Sequence, residues 1–145
     1  MRIQRSMETS ALPQAVWPYL VEPEKIMRWF TLLESFVFTS EQRGVGATFH
    51  YEERSAGRLM KLDYRVTEWV ENRRFAFTMT SGPLVKDDQA WRIEAVPAGS
   101  RVTLEEDVEL SGGMFGRMLL ALGVGRSIGR HLEQMLARLK ELVEA

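Results

Sequence analysis

The chain has 145 residues, and its 19 basic and 20 acidic side chains leave a formal net charge of −1. That balance supplies neither the basic field that attracts a phosphate backbone nor the acidic excess of a solvating tail, so nucleic acid is not an expected partner. With no cysteine in the sequence, disulfide frameworks, thiolate nucleophiles and zinc–thiolate sites are excluded together.

The length fits one domain, residues 1–145, able to bury roughly 70% of the surface its unfolded chain exposes. The opening MRIQRSMETS lacks the apolar run of a signal peptide. No window approaches the ~20 apolar residues of a membrane span, so a cytoplasmic protein without stable membrane insertion is expected.

Ile3 to Ser10 alternate weakly and predict a first strand. Pro13 suits a first helical position, where its missing N–H would be unpaired anyway. Val16, Trp17, Leu20 and Val21 give a short helical face, with Pro18 removing one internal hydrogen bond. Pro23 restarts the pattern, and Ile26, Met27, Trp29 and Phe30 supply the apolar side of a second short helix. From Leu33 the period falls to two. Phe36 and Phe38 alternate with polar neighbours, Gly44 and Gly46 make a turn, and Phe49 and Tyr51 alternate with Thr48, His50 and Glu52. Met60, Leu62, Tyr64 and Val66 share one face of the next strand. Phe75, Phe77 and Met79 follow after a turn at Asn72, then Trp91, Ile93 and Ala95, and finally Val102, Leu104, Val108 and Leu110. Six or seven strands joined mostly by short turns predict an antiparallel sheet with one apolar face.

From Gly112 to Ala145 the pattern predicts one long amphipathic helix. Its stripe runs Phe115, Met118, Leu119, Leu122, Leu132, Met135, Leu136, Leu139, Leu142 and Val143. Gly125 and Gly129 interrupt the stripe, with Gly123 beside them, although each glycine costs a helix interior roughly 1 kcal/mol relative to alanine. A helix thinned at its centre above a sheet predicts a hollow beneath it, between 122–132 and the strands bearing Tyr64, Phe77, Trp91 and Leu104.

This order of elements resembles the START-like helix-grip family, the polyketide cyclase/dehydrase and lipid-transport superfamily (SRPBCC). The resemblance spans essentially the whole chain. Its markers are Pro13, Val16 and Trp17 in LPQAVWPYL, Pro23-Glu24 and Trp29 in PEKIMRW, the Gly44-Val45-Gly46 turn, and the terminal helix ending LARLKELVE. The resemblance implies an α+β, Bet v 1-like fold: a curved antiparallel sheet wrapped around a long C-terminal helix, with two short helices after the first strand. It also implies a tunnel between sheet and helix, used by relatives to hold lipids, sterols, quinones, polyketides or plant hormones. Some relatives catalyse cyclisation or dehydration there and others only carry, so fold does not settle function.

Acid–base chemistry in such a tunnel needs a titratable side chain inside it. The only histidines, His50 and His131, both read as outward-facing. Glu106 shares the parity of Val102, Leu104, Val108 and Leu110. It points inward unless a bulge in Glu105-Glu106-Asp107 turns it out or leaves it at a rim. It is thus the one weak catalytic candidate, with Arg126 as a cation partner. Tyr51 and Tyr64 lie on apolar faces, where their hydroxyls need a partner. Trp29, Phe38, Phe49, Phe77, Trp91, Leu62, Leu104, Leu122 and Leu132 complete the expected ligand lining or plain core. Met60, Met79 and Met118 add adaptable volume. No metal-ligand spacing and no phosphate-binding glycine loop appear, so no metal and no cofactor are expected. Three functions follow. The first is binding of a hydrophobic or amphipathic small molecule, lipid, polyketide or quinone-like, by a monomer or homodimer. The second is a cofactor-independent cyclase, dehydratase or aromatase, and the third a partner-binding accessory module.

Overall fold

The seven strands form one curved antiparallel sheet of order β1-β7-β6-β5-β4-β3-β2. The computed structural model describes residues 1–55, 57–119 and 123–145. In chain order the elements are β1 (Arg2–Thr9), α1 (Pro13–Val21), α2 (Pro23–Trp29), β2 (Leu33–Phe38), β3 (Thr48–Ser55), β4 (Arg58–Val70), β5 (Arg74–Ser81), β6 (Lys86–Val96), β7 (Gly99–Glu109), α3 (Met114–Leu119) and α4 (Gly125–Glu144). Pro13 and Pro23 each start a helix as expected. Pro18 is tolerated inside α1, whose face of Val16, Trp17 and Leu20 is buried. The α1–α2 pair carries the chain from one edge of the sheet, β1, to the other, β2. The indole of Trp29 donates to the Tyr19 carbonyl at 2.7 Å, which ties the two helices together.

Register follows the apolar alternation. Phe49 pairs with Tyr64, Tyr51 with Leu62, Phe75 with Trp91 and Trp91 with Leu104, so these side chains share the inner face. Irregularities between Asp63 and Tyr64 and between Val66 and Glu68 bend β4, the longest strand. Leu132, Met135, Leu136 and Leu139 of α4 close the core from above.

The C-terminal region departs from the expected single helix. Here α3 and α4 are separate, and Gly123 stands just before α4 with φ +125°, a backbone conformation that side-chain-bearing residues avoid. Helical periodicity continues across such a break in the sequence, which is why the stripe read as one element. Phe115 is 61% exposed and Met118 is exposed too, so they do not pack on the sheet as expected. Leu122 and the side chain of Leu119 lie outside the described residues. Gly129 also has a different cause from the one inferred. A Cβ there would stand 2.5 Å from Nη2 of Arg5, whose guanidinium lies against the helix and bonds Glu133 at 2.9 Å. Gly129 thus faces the tip of the Arg5 side chain on β1 and not a hollow.

Candidate functional site

A cavity of about 510 Å³ nevertheless lies between the sheet and α4. It sits further along the strands than expected. Alternation on β3 aims Tyr51, Glu53 and Ser55 into it, β4 contributes Met60 and Leu62, β6 Asp87 and Gln89, and β7 Glu106 and Val108. From above come Ser127, Ile128, Arg130, His131, Leu132, Gln134 and Met135 of α4, with Phe30, Leu32, Leu84 and Leu110 at the margins. Only a void of about 20 Å³ lies among Trp29, Phe77 and Trp91.

Of the residues expected to line a ligand site, Tyr51, Met60, Leu62, Glu106 and Leu132 border this cavity. Phe49, Tyr64 and Leu104 are buried in the core beside it. Trp29, Phe77 and Trp91 fill the neighbouring aromatic layer, where Trp29 and Trp91 meet edge to face at 5.2 Å. Met79 packs half-buried against the core. Phe38 stacks edge-on against Phe49 and carries the Arg43 guanidinium 3.9 Å above its ring, so it belongs to the margin of the sheet. Met118 and Arg126 are exposed and do not reach the cavity. Arg126 is therefore not the partner of Glu106.

Glu106 points inward without a bulge. Its strand runs in unbroken register, opposite Ile3 on one side and Gln89 on the other. The lining around it is more acidic than the apolar tunnel expected. Tyr64 donates its hydroxyl to Asp87 Oδ2 at 2.5 Å, and Gln89 Nε2 donates to the same oxygen at 3.1 Å. The Tyr51 and Tyr64 hydroxyls bond each other at 2.8 Å. The Asp87 and Glu106 carboxyls border the same cavity, and a hydrogen bond between them would require that one be protonated. Burial, then the charges of Asp87 and Glu53, push Glu106 well above the usual carboxylate range. Burial also raises Asp87, opposed by its bonds from Tyr64 and Gln89. Burial and the Asp87 charge push Glu53 up to about 7. Both tyrosine hydroxyls are held well above their ordinary value by burial and remain neutral donors.

His131 corrects another expectation. It is half-buried, its ring lies 5.7 Å from that of Phe30, and its Nε2 stands 4.0 Å from Glu53 Oε1. Burial lowers its basicity. With Glu53 raised and His131 lowered, the two form an acid beside a base, both able to be neutral near pH 7. His50 does face outward, between Asp63 at 2.8 Å and Glu52 at 3.0 Å. The sequence reading missed Glu53, Asp87, Gln89 and His131. Parity had the signal: Glu53 stands two residues after Tyr51, and Gln89 and Asp87 stand two and four before Trp91.

Among the described residues, no group of three or more His, Asp or Glu side chains converges closely enough to hold a metal ion. Nor, among them, is any helix long and apolar enough to cross a membrane.

Sheet, helix and interior cavity together define a helix-grip protein. The chain belongs to the polyketide cyclase/dehydrase and lipid transport family, whose profile matches residues 1–144. Among solved structures it is similar to TTHA0849 of Thermus thermophilus, with 20% identity, a TM-score of 0.84, and coverage of 99% of this chain and 97% of that one. The Zhui aromatase/cyclase from Streptomyces sp. R1128 superposes with a TM-score of 0.76 at 17% identity, covering 100% of this chain and 96% of its own. Ara h 8.0201 does so at 0.73 and 12% identity, over 99% and 97% of the two chains. At these identities the likeness shows a shared fold. No curated protein matches the sequence.

Proposed function

We propose that residues 1–145 act as one domain, a cytoplasmic monomer or homodimer, that binds a hydrophobic or amphipathic small molecule in the cavity without a cofactor. Lipids, polyketides and quinone-like compounds are the classes considered. The observation that carries this reading is the cavity of about 510 Å³, within the range of small-molecule sites, with apolar walls and a few convergent polar groups. Native mass spectrometry of protein purified gently from its own host tests it. A copurified small molecule, released on denaturation, is the expected result. Protein that is repeatedly empty, and that binds nothing from a panel of fatty acids, amines, quinones and aromatic polyketide mimics, refutes it.

A second reading, a cyclase or dehydratase, is favoured by Glu53. A carboxyl with a value of about 7 divides its time between acid and base at neutral pH, which suits general acid–base catalysis. On that reading Glu53→Gln or Glu106→Gln cuts turnover of a polyketide mimic roughly a hundredfold while binding persists. On the binding reading there is no turnover to lose, and Glu106→Gln leaves affinity for an uncharged apolar compound within about tenfold. The partner-module alternative loses part of its motive, because Gly129 faces Arg5 of the same chain.

A further inference from the structure

The acidic floor is poorly suited to a purely apolar guest. Glu53 of β3, Asp87 of β6 and Glu106 of β7 border one cavity. The groups that face them are the hydroxyls of Tyr51 and Tyr64, the Gln89 amide of β6, and Arg130 and His131 of α4. Arg130 is exposed, and His131 is the weakened base beside Glu53. Among the described lining residues, no lysine or buried arginine balances the carboxylates.

Asp87 makes the deficit specific. The residue is 4% exposed, and both of its fixed donors, Tyr64 and Gln89, converge on Oδ2. Its Oδ1 is fully buried and has no hydrogen-bond partner among the described residues. An unpaired buried acceptor costs about 1–3 kcal/mol, and more when charged. A proton carried by Glu106 is one way to relieve it from within the protein, and a ligand that brings its own donors and a positive charge can take that proton's place.

The charge and donor pattern select the head group. A ligand carboxylate would add a negative charge beside Asp87, and a carbonyl would bring only an acceptor. A divalent metal needs several oxygens at about 2.0–2.6 Å, and the described residues do not converge to that extent. An ammonium group offers three donors and forms charge-assisted bonds at about 2.7–2.9 Å, a looser requirement.

Building on the small-molecule reading above, we propose that the ligand is an amphipathic amine. Its protonated nitrogen is held over the acidic floor by Glu106 and the charge of Asp87 behind it, and its apolar tail lies against Met60, Leu62, Val108 and Leu132. Binding then favours the ionised forms of these carboxyls and releases protons held on the floor. It also strengthens as pH rises, because Glu53 loses its proton around 7 while an alkylamine stays charged to about 10.

The test compares decylamine, decanol and decanoate, which share a chain and differ in head group, by isothermal titration calorimetry at pH 6 and pH 8. Decylamine is expected to bind at least tenfold tighter than decanol at pH 8, and decanoate more weakly than either. Titrations in buffers of different ionisation enthalpy should show net proton release for the amine alone. In Asp87→Asn, and independently in Glu106→Gln, the preference for amine over alcohol should fall below about threefold while decanol binding persists. Decanol binding as tightly as decylamine to the unmodified protein, or an amine preference unchanged in both variants, overturns the amine assignment and leaves the cavity reading intact. If none of the three binds the folded protein, the amine assignment falls, while the small-molecule reading is decided separately by native mass spectrometry and the wider panel.

Discussion

Glu53 should make the protein less stable as the solution becomes less acidic. Its side chain is only 13% exposed, and its value in the folded chain is about 7 against an ordinary 4.5. Between these values the folded state holds a proton that the unfolded state has released. Since stability rises with pH only where the unfolded state binds more protons, here it must fall. The stabilisation is fully present below 4.5 and is lost as pH rises through about 7. At 1.36 kcal/mol per pKa unit, the difference amounts to about 3 kcal/mol. Glu53→Gln keeps the shape of the protonated acid and cannot ionise. Urea denaturation of both proteins at pH 4.5 and pH 8.5 isolates the effect of Glu53 and of the charge it places on Glu106, because titrating groups distant from them are common to both and cancel. The variant should gain about 2–3 kcal/mol on the wild type between the two pH values. A stability difference between the two proteins that does not change with pH refutes the buried placement of this carboxyl.

Leu132→Ala should lower stability by about 2 to 5 kcal/mol, because Leu132 is 1% exposed beneath α4. The lower half of that range is expected, since Leu132 already borders a cavity; thermal denaturation indistinguishable from wild type would contradict the packing. His50 is raised by its bonds to Glu52 and then Asp63, so its contribution is fully present below the ordinary 6.5 and is lost as pH rises through the higher folded value. His50→Gln should therefore destabilise more at pH 6 than at pH 9, by chemical denaturation, and equal losses at both would count against the ion pairs.

Elements with a uniform period were legible in the sequence. The strands from Phe49 to Leu104 alternate along most of their length, and a half-buried sheet imposes that period. The two prolines that open α1 and α2 act through local sterics alone. The inward direction of Glu106 followed from parity too, once unbroken pairing with Ile3 and Gln89 removed the bulge alternative. Periodicity failed where the decisive contact is distant in sequence. Nothing near Gly129 announces Arg5, at the opposite end of the chain, whose guanidinium occupies the space a side chain would need. The break before α4 was hidden because a positive φ at Gly123 leaves the spacing of apolar residues unchanged. The acidic floor was missed for a different reason. A search for apolar faces passes over Glu53 and Asp87 because their polarity makes those ends of the strands look like surface.

The first strand to be made is the last that can be used. β1 lies at the sheet edge, where among the described residues β7 is its one neighbouring strand, pairing Arg2 with Asp107 through Thr9 with Ser100. The Val108 amide donates to the Met1 carbonyl at 2.8 Å, and the Thr9 hydroxyl donates to Glu144 of α4 at 2.7 Å. Each of these partners is roughly a hundred residues or more away along the chain. The entropy of closing so long a loop must be met before any of those contacts forms, and topologies dominated by such contacts fold slowly. On a ribosome, β1 and the α1–α2 pair emerge well before the strand that receives them, while the β3–β4 and β6–β7 hairpins can form as soon as they are synthesised. The cavity, whose roof is α4, is therefore completed only after nearly the whole chain is available, and a ligand can be enclosed only at that final stage.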